Sequence, residues 1–157
     1  MMLKRVVLQE GSSYREKCTG CRMCEVICSF RDGVVNPRRS RIRVIRASDG
    51  DELPTVCYQC GRPKCAEACP TGAIVRGLET IKIITQKCTG CALCVAACPF
   101  GAIHIDPTGL AIACDLCGGL PRCVDQCPTR VLKLQTIDTE SLSRNKALGY
   151  RERGRRA

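Results

Sequence analysis

Tryptophan is absent from this chain of 157 residues, and only two Phe, three Tyr and one His are present. At 3% aromatic content the side chains that usually dominate a core are missing, so something else must fill the interior. No apolar run approaches the ~20 residues needed to cross a bilayer. Nothing matches a phosphate loop, a dinucleotide fingerprint or a catalytic triad, so a self-sufficient enzyme is not indicated. The stretch from Met1 to Glu10 reaches charge after a few apolar residues and has neither a secretory h-region nor a twin-arginine pair. The expectation is a cytoplasmic protein without a membrane span.

Cysteine takes the place of the aromatics, with 16 in the chain. Such density in a short chain signals either a disulfide scaffold or a metal protein, and a cytoplasmic setting disfavours disulfides. The cysteines fall into ordered groups with none left over. The first is Cys18-x2-Cys21-x2-Cys24-x3-Cys28. The second is Cys57-x2-Cys60-x4-Cys65-x3-Cys69, followed by Pro70. The third is Cys88-x2-Cys91-x2-Cys94-x3-Cys98, followed by Pro99. The fourth is Cys114-x2-Cys117-x5-Cys123-x3-Cys127, followed by Pro128. The third group reproduces the bacterial C-x2-C-x2-C-x3-C-P run that ligates 4Fe–4S clusters, in which the fourth Cys serves a different cluster from the first three. Three close thiolates on a looped backbone reach three irons of one cubane. The fourth is expected at the start of a helix or turn, and proline after it fixes φ as the chain leaves. Four quartets imply four 4Fe–4S clusters, with iron as the metal.

The formal charge of +10 suggests nucleic acid only while every thiol is counted as neutral. A metal-bound Cys is a thiolate, so each oxidised cluster site contributes about −2, and the loaded protein comes to about +2. The excess Lys and Arg offset cluster charge, and no nucleic-acid partner is expected.

Between the groups, alternation in Arg41–Ile45 and Ile81–Ile84 predicts half-wet strands, and Ala102–Ala113 reads as strand, turn, strand around Asp106-Pro107-Thr108-Gly109. Thr71-Gly72-Ala73-Ile74, Phe100-Gly101-Ala102-Ile103 and Thr129-Arg130-Val131-Leu132 each follow a group and lead into a strand pattern, which marks a reused unit. Helices should be short and confined to the turn around each fourth Cys, such as Val95 to Cys98. The fold class is therefore small, loop-rich α+β.

Four ordered groups over about residues 14–135 resemble the polyferredoxin subunits of molybdenum and tungsten oxidoreductases, the iron–sulfur family of dimethyl sulfoxide reductase and formate dehydrogenase. Group one lacks the trailing proline, since Ser29 follows Cys28, and the expectation is a form without the long insertions and C-terminal membrane anchor of larger members. The compact form, with Asn36-Pro37-x2-Ser40-Arg41-Ile42-Arg43-Val44 and Cys114-Asp115-Leu116-Cys117-Gly118-Gly119, looks most like the small subunits accompanying tungsten aldehyde oxidoreductases. Similar subunits serve hydrogenases and carbon monoxide dehydrogenases. The resemblance implies two nested ferredoxin-like units, an outer one from 1–49 and 111–137 and an inner one from 50–110. It implies outer clusters on Cys18, Cys21, Cys24 and Cys127 and on Cys114, Cys117, Cys123 and Cys28. The inner clusters would be held by Cys57, Cys60, Cys65 and Cys98 and by Cys88, Cys91, Cys94 and Cys69. The implied role is a non-catalytic electron-transfer subunit. It would relay single electrons between a large catalytic subunit with a tungsten or molybdenum cofactor and a second acceptor. That acceptor could be a flavin- or nicotinamide-reducing subunit, a soluble ferredoxin or a stacked copy of the chain.

The rival readings are a free-standing polyferredoxin and a zinc-dependent nucleic-acid module. Zinc ribbons use two C-x2-C knuckles separated by a longer loop, which is not the pattern here. His104 reads as a half-exposed strand residue and Asp115 as a capping side chain. The inserts Gly61–Lys64 and Gly118–Arg122 read as loops that cover or expose a cluster edge. The segment 138–157, with Arg151, Arg153, Arg155 and Arg156, reads as a solvated or partner-docking tail.

Overall fold

The computed structural model describes residues 2–8, 18–30, 33–48 and 50–138. The arginine-rich segment beyond residue 138 lies outside the described residues. Among the described residues eight short strands pair into four antiparallel two-stranded ribbons. One ribbon joins segments far apart in sequence: β1 (Met2–Leu8) pairs β8 (Leu132–Asp138), with Leu8 opposite Leu132. Next, β2 (Ile42–Arg46) pairs β3 (Glu52–Val56). Pro54 is tolerated in β3 because a two-stranded ribbon always leaves one edge without ladder bonds. Two smaller ribbons follow, β4 (Ile74–Arg76) with β5 (Ile81–Ile83) and β6 (Ile103–Ile105) with β7 (Ala111–Ala113).

The strands that follow the second, third and fourth cysteine groups begin at Ile74, Ile103 and Leu132, as the repeated sequence unit predicts. Helix placement differs from expectation. The helices are α1 (Met23–Ser29), α2 (Lys64–Glu67), α3 (Leu93–Ala97) and α4 (Arg122–Asp125). Each contains the third Cys of its group, and in three of the four groups the helix has ended before the fourth Cys. Cys98, for example, caps the C-terminus of α3 in extended conformation. Proline after the fourth Cys explains the stop, because it disfavours helical backbone in the residue before it. Group one lacks that proline, and there the helix runs on through Cys28 to Ser29.

Two apolar cores result, each small and made of aliphatic side chains and cysteine. The first combines Val6, Ile42, Val44, Val56, Leu116, Val131 and Leu132 with Cys24, Cys28, Cys114 and Cys123. The second combines Ile74, Ile81, Ile103, Ala111 and Ala113 with Cys94. Cys57 packs against both. Gln59, at 1% exposure, ties them with two hydrogen bonds. Its Nε2 donates to the Cys114 carbonyl and its Oε1 accepts from the Ile81 amide. Among the described residues no helix is long and apolar enough to cross a membrane.

Candidate iron–sulfur sites

A recurring backbone device shapes each cysteine loop. The residue before the second Cys is left-handed in all four groups: Gly20, Gln59, Gly90 and Leu116 have φ of 66°, 52°, 70° and 58°. Alternation of left- and right-handed residues turns successive amides toward one side, forming the concave nest that receives anions and iron–sulfur clusters. At Gly90 the glycine also allows close approach, since a Cβ there would run into the Gly109 carbonyl oxygen. A second left-handed turn recurs three residues after the fourth Cys of groups two, three and four, at Gly72, Gly101 and Arg130. There the amide closes back onto the carbonyl of Cys69, Cys98 or Cys127.

Backbone amides reach several cysteine sulfurs. Arg41 N–H lies 3.3 Å from Cys28 Sγ, and those of Ala102, Ala111 and Leu116 lie 3.4 Å from Cys98, Cys88 and Cys114 Sγ. The hydroxyls of Thr71 and Thr129 lie 3.6 and 3.7 Å from the sulfurs of Cys69 and Cys127. The Thr71 hydroxyl holds the Cys69 thiol below its ordinary range. At Cys127 burial pushes the other way, and amides with the Thr129 hydroxyl prevail to lower it. Elsewhere burial dominates. It pushes Cys24 and Cys114 up to about 12 and Cys65 up to about 11, and raises Cys57 and Cys123 as well. Thiols so far from ionisation need a metal to become thiolates, and metal binding there must release protons.

All sixteen cysteines are described, and no disulfide joins any of them. Cys57, Cys60, Cys65 and Cys98 line one cavity, together with Tyr58, Ile81 and Phe100. Cys69, Cys88, Cys91 and Cys94 line another, which has no charged side chain in its wall. Each cavity thus joins one cysteine from a different group to three from its own. In the first core, Cys127 acts electrostatically on Cys18, beside Cys21, and Cys28 acts on Cys114 and Cys123, beside Cys117. Among the described residues no three His, Cys, Asp or Glu side chains converge on a single-ion site. A cubane asks for something wider, because each thiolate reaches a different iron. The cavity walls, nest amides and donor set of thiols fit such a group.

The 4Fe–4S dicluster domain family matches residues 49–137, and a 4Fe–4S binding domain matches residues 15–31. This chain belongs to the 4Fe–4S dicluster domain family. It binds multiple 4Fe–4S clusters. It is 43% identical over 79 residues to the polyferredoxin-like subunit of an aliphatic sulfonate oxidoreductase from Pyrococcus furiosus, covering 48% of this chain and 46% of that one. It is 32% identical over 100 residues to the electron transport protein HydN of Escherichia coli K12, covering 57% and 53%. The dicluster chain therefore spans about half the length of these curated relatives. Among solved structures it resembles a chain of the BamBC active-site complex of benzoyl coenzyme A reductase, solved with 1,5-dienoyl-CoA. The TM-score is 0.51 at 27% identity, covering 88% of this chain and 78% of that one. Its relatives include subunits of oxidoreductase complexes.

Two features escaped sequence reasoning. Gln59 lies inside the second cysteine group and carries no signal of its role beyond being polar between two ligands. Arg76 follows an ordinary strand pattern, and only its pairing opposite Ile81 places it beside that group.

Proposed function

We propose that this chain is a non-catalytic electron-transfer subunit with four 4Fe–4S clusters in a row. The observation that carries the proposal is the mixed cysteine membership of the two cavities, which is what crossed ligation in a two-cluster ferredoxin would require. The inner clusters are assigned to Cys57, Cys60, Cys65 and Cys98 and to Cys88, Cys91, Cys94 and Cys69. The outer ones are assigned to Cys18, Cys21, Cys24 and Cys127 and to Cys114, Cys117, Cys123 and Cys28. The nested division, 1–49 with 111–137 around 50–110, is part of the same proposal. The pairing of β1 with β8 and the existence of two cores support it, although Val56 packs in the first core and Ala111 and Ala113 in the second, so each boundary cuts between the paired strands of a ribbon.

Bound there, a 4Fe–4S cluster accepts and gives up one electron at a time. The protein's part is to hold the sulfurs, aim amides at them, exclude water and set the surrounding charge. Neighbouring cysteines support an order along the row: Cys24 acts on Cys123, and Cys114 acts on Cys57. The Cys18 and Cys88 sites then stand at the two ends, and Cys21 and Cys91 in those sites are exposed. Two accessible ends suit two docking partners, one a catalytic oxidoreductase subunit and the other an acceptor. The naming of relatives as subunits of oxidoreductases supports this reading. The catalytic partner is assigned to the tungsten or molybdenum enzymes, of aldehyde oxidoreductase type. The acceptor is a flavin- or nicotinamide-reducing subunit, a ferredoxin or a second copy of the chain, and the setting is cytoplasmic.

Anaerobic purification of the native complex tests the assignment. The expected outcome is a large subunit with tungsten or molybdenum that co-purifies and reduces this chain when given an aldehyde. A chain that purifies alone and exchanges electrons with several unrelated enzymes supports the free-standing polyferredoxin instead.

A further inference from the structure

The charge around the four sites is uneven. Cys18 and Cys24, in the first site, lie near Glu52 and Glu25, carboxylates that are themselves paired with Arg46 at 3.3 Å and Arg22 at 3.4 Å, and Cys114, in the fourth, feels Asp115. The cavity of the third site has no charged side chain in its wall. The second site, on Cys57, Cys60, Cys65 and Cys98, differs. Arg5 and Arg76 both act on Cys60 with positive charge. Lys64, also at this cavity, is neutralised by Glu67 at 2.9 Å.

The geometry of Arg76 is specific. It pairs directly opposite Ile81 across the β4–β5 ribbon. Directly opposed residues share a face, and Ile81 lines the cavity. The Ile81 amide is held by Gln59 Oε1 at 2.7 Å, so the ribbon is bolted to the loop between Cys57 and Cys60. Both terminal nitrogens of Arg76 are buried with no hydrogen-bond partner among the described residues. A guanidinium buried in that state lacks acceptors, and the sulfurs of a cluster in this cavity are the acceptors the site would supply. Arg5 comes from the other end of the sequence, on β1. Its guanidinium lies 4.6 Å from the centre of the Tyr58 ring, which in turn stacks on Phe100 at 4.3 Å. Both rings line the cavity, so the second arginine is held at its rim through them.

We propose that Arg76, seconded by Arg5, makes the Cys57–Cys60–Cys65–Cys98 site the highest-potential member of the row, where a single electron comes to rest. This rests on the ligand assignment above. Adding an electron makes a cluster more negative, so adjacent cations favour its reduced form and adjacent carboxylates oppose it. The site lies in the interior of the row, next to the Cys114 site, so an electron held there is set back from both docking ends. The chain would thus store one electron between encounters with its partners.

An anaerobic reductive titration of the whole holo-protein, followed by electron paramagnetic resonance, tests this. The first cluster signal to appear belongs to the second site. Arg76→Gln should lower that cluster's reduction equilibrium constant about tenfold, a downward shift of about 59 mV for one electron, and leave the later signals in place. Arg76→Lys should restore most of the shift, and Arg5→Gln should move the same signal in the same direction. The Arg5 variant also decides the matter if Arg76→Gln fails to assemble its clusters. With about sixteen iron retained, a signal that moves late in the titration, or no moved signal in either arginine variant, overturns the inference and leaves the ligand assignment standing. About eight iron, or stoichiometric zinc, in the unmodified protein removes the assignment and the inference with it.

Discussion

Gln59 Nε2 lies 2.6 Å from the carbonyl oxygen of Cys114, a residue 55 positions away in sequence. With its Oε1 receiving the Ile81 amide, this one buried side chain joins a cysteine of the fourth group to the ribbon beside the second. Leucine in its place would orphan a buried carbonyl and a buried amide, at about 1–3 kcal/mol for each. In Gln59→Leu the Ile81 amide should exchange with solvent roughly tenfold to a hundredfold faster in the cluster-loaded protein. Unchanged protection at Ile81 would show that the two cores do not depend on this tie.

The left-handed turn after the fourth cysteine predicts opposite effects at equivalent positions. Gly101 and Arg130 have φ of 59° and 53°. A side chain in that conformation costs about 1–2 kcal/mol, so Gly101→Ala should destabilise by about that amount. Arg130→Gly relieves the same strain, offset by roughly 0.5–1 kcal/mol of glycine entropy, and should be neutral or slightly stabilising. Anaerobic guanidinium titrations of the holo-protein, followed by loss of cluster absorbance, give both midpoints.

His104 makes stability depend on pH. Burial first, and Arg43 second, lower its pKa from 6.5 to about 4, and its Nε2 is buried without a hydrogen-bond partner among the described residues. The unfolded chain therefore binds this proton where the folded chain does not. Stability should rise with pH between about 4 and 6.5 and level off above. His104→Gln should remove that rise between about pH 5 and 6.5, read as the guanidinium midpoint at each pH. An unchanged slope would assign the acid limb to other groups.

Cys127→Ser separates the nested arrangement from a sequential one. Cys127 acts on Cys18, more than a hundred residues earlier in the chain. The variant should lose or convert the cluster on Cys18, Cys21 and Cys24 and spare that on Cys114, Cys117 and Cys123. Mössbauer and paramagnetic resonance spectra of the variant report which cluster changes. Damage to the Cys88 cluster would instead point to sequential pairing.

The four cysteine groups were legible from spacing alone, because a cubane would constrain its ligands locally and the spacing recurs. The strands at Ile42, Ile81, Ile103 and Ala111 were legible for the same reason that hairpins are, since alternation and turn residues sit within a few positions. The pairing of Met2–Leu8 with Leu132–Asp138 has no local signature, because its stability comes from a core assembled from both ends of the sequence. The sequence pattern puts each helix around the fourth cysteine, whereas every helix carries the third and only α1 extends through the fourth, Cys28. Proline signalled the helix end correctly and was assigned to the wrong side of the turn. Gln59 and Arg76 act through partners 22 to 55 residues away or across a ribbon, so only the folded chain reveals them.

The central claim is that four complete quartets hold four cubanes and leave no thiol spare. Iron, zinc and acid-labile sulfide measured on anaerobically purified and fully reconstituted protein test it most directly. The account predicts about sixteen iron and about sixteen sulfide per chain, with no zinc above trace. About eight iron after full reconstitution, or stoichiometric zinc, would contradict it.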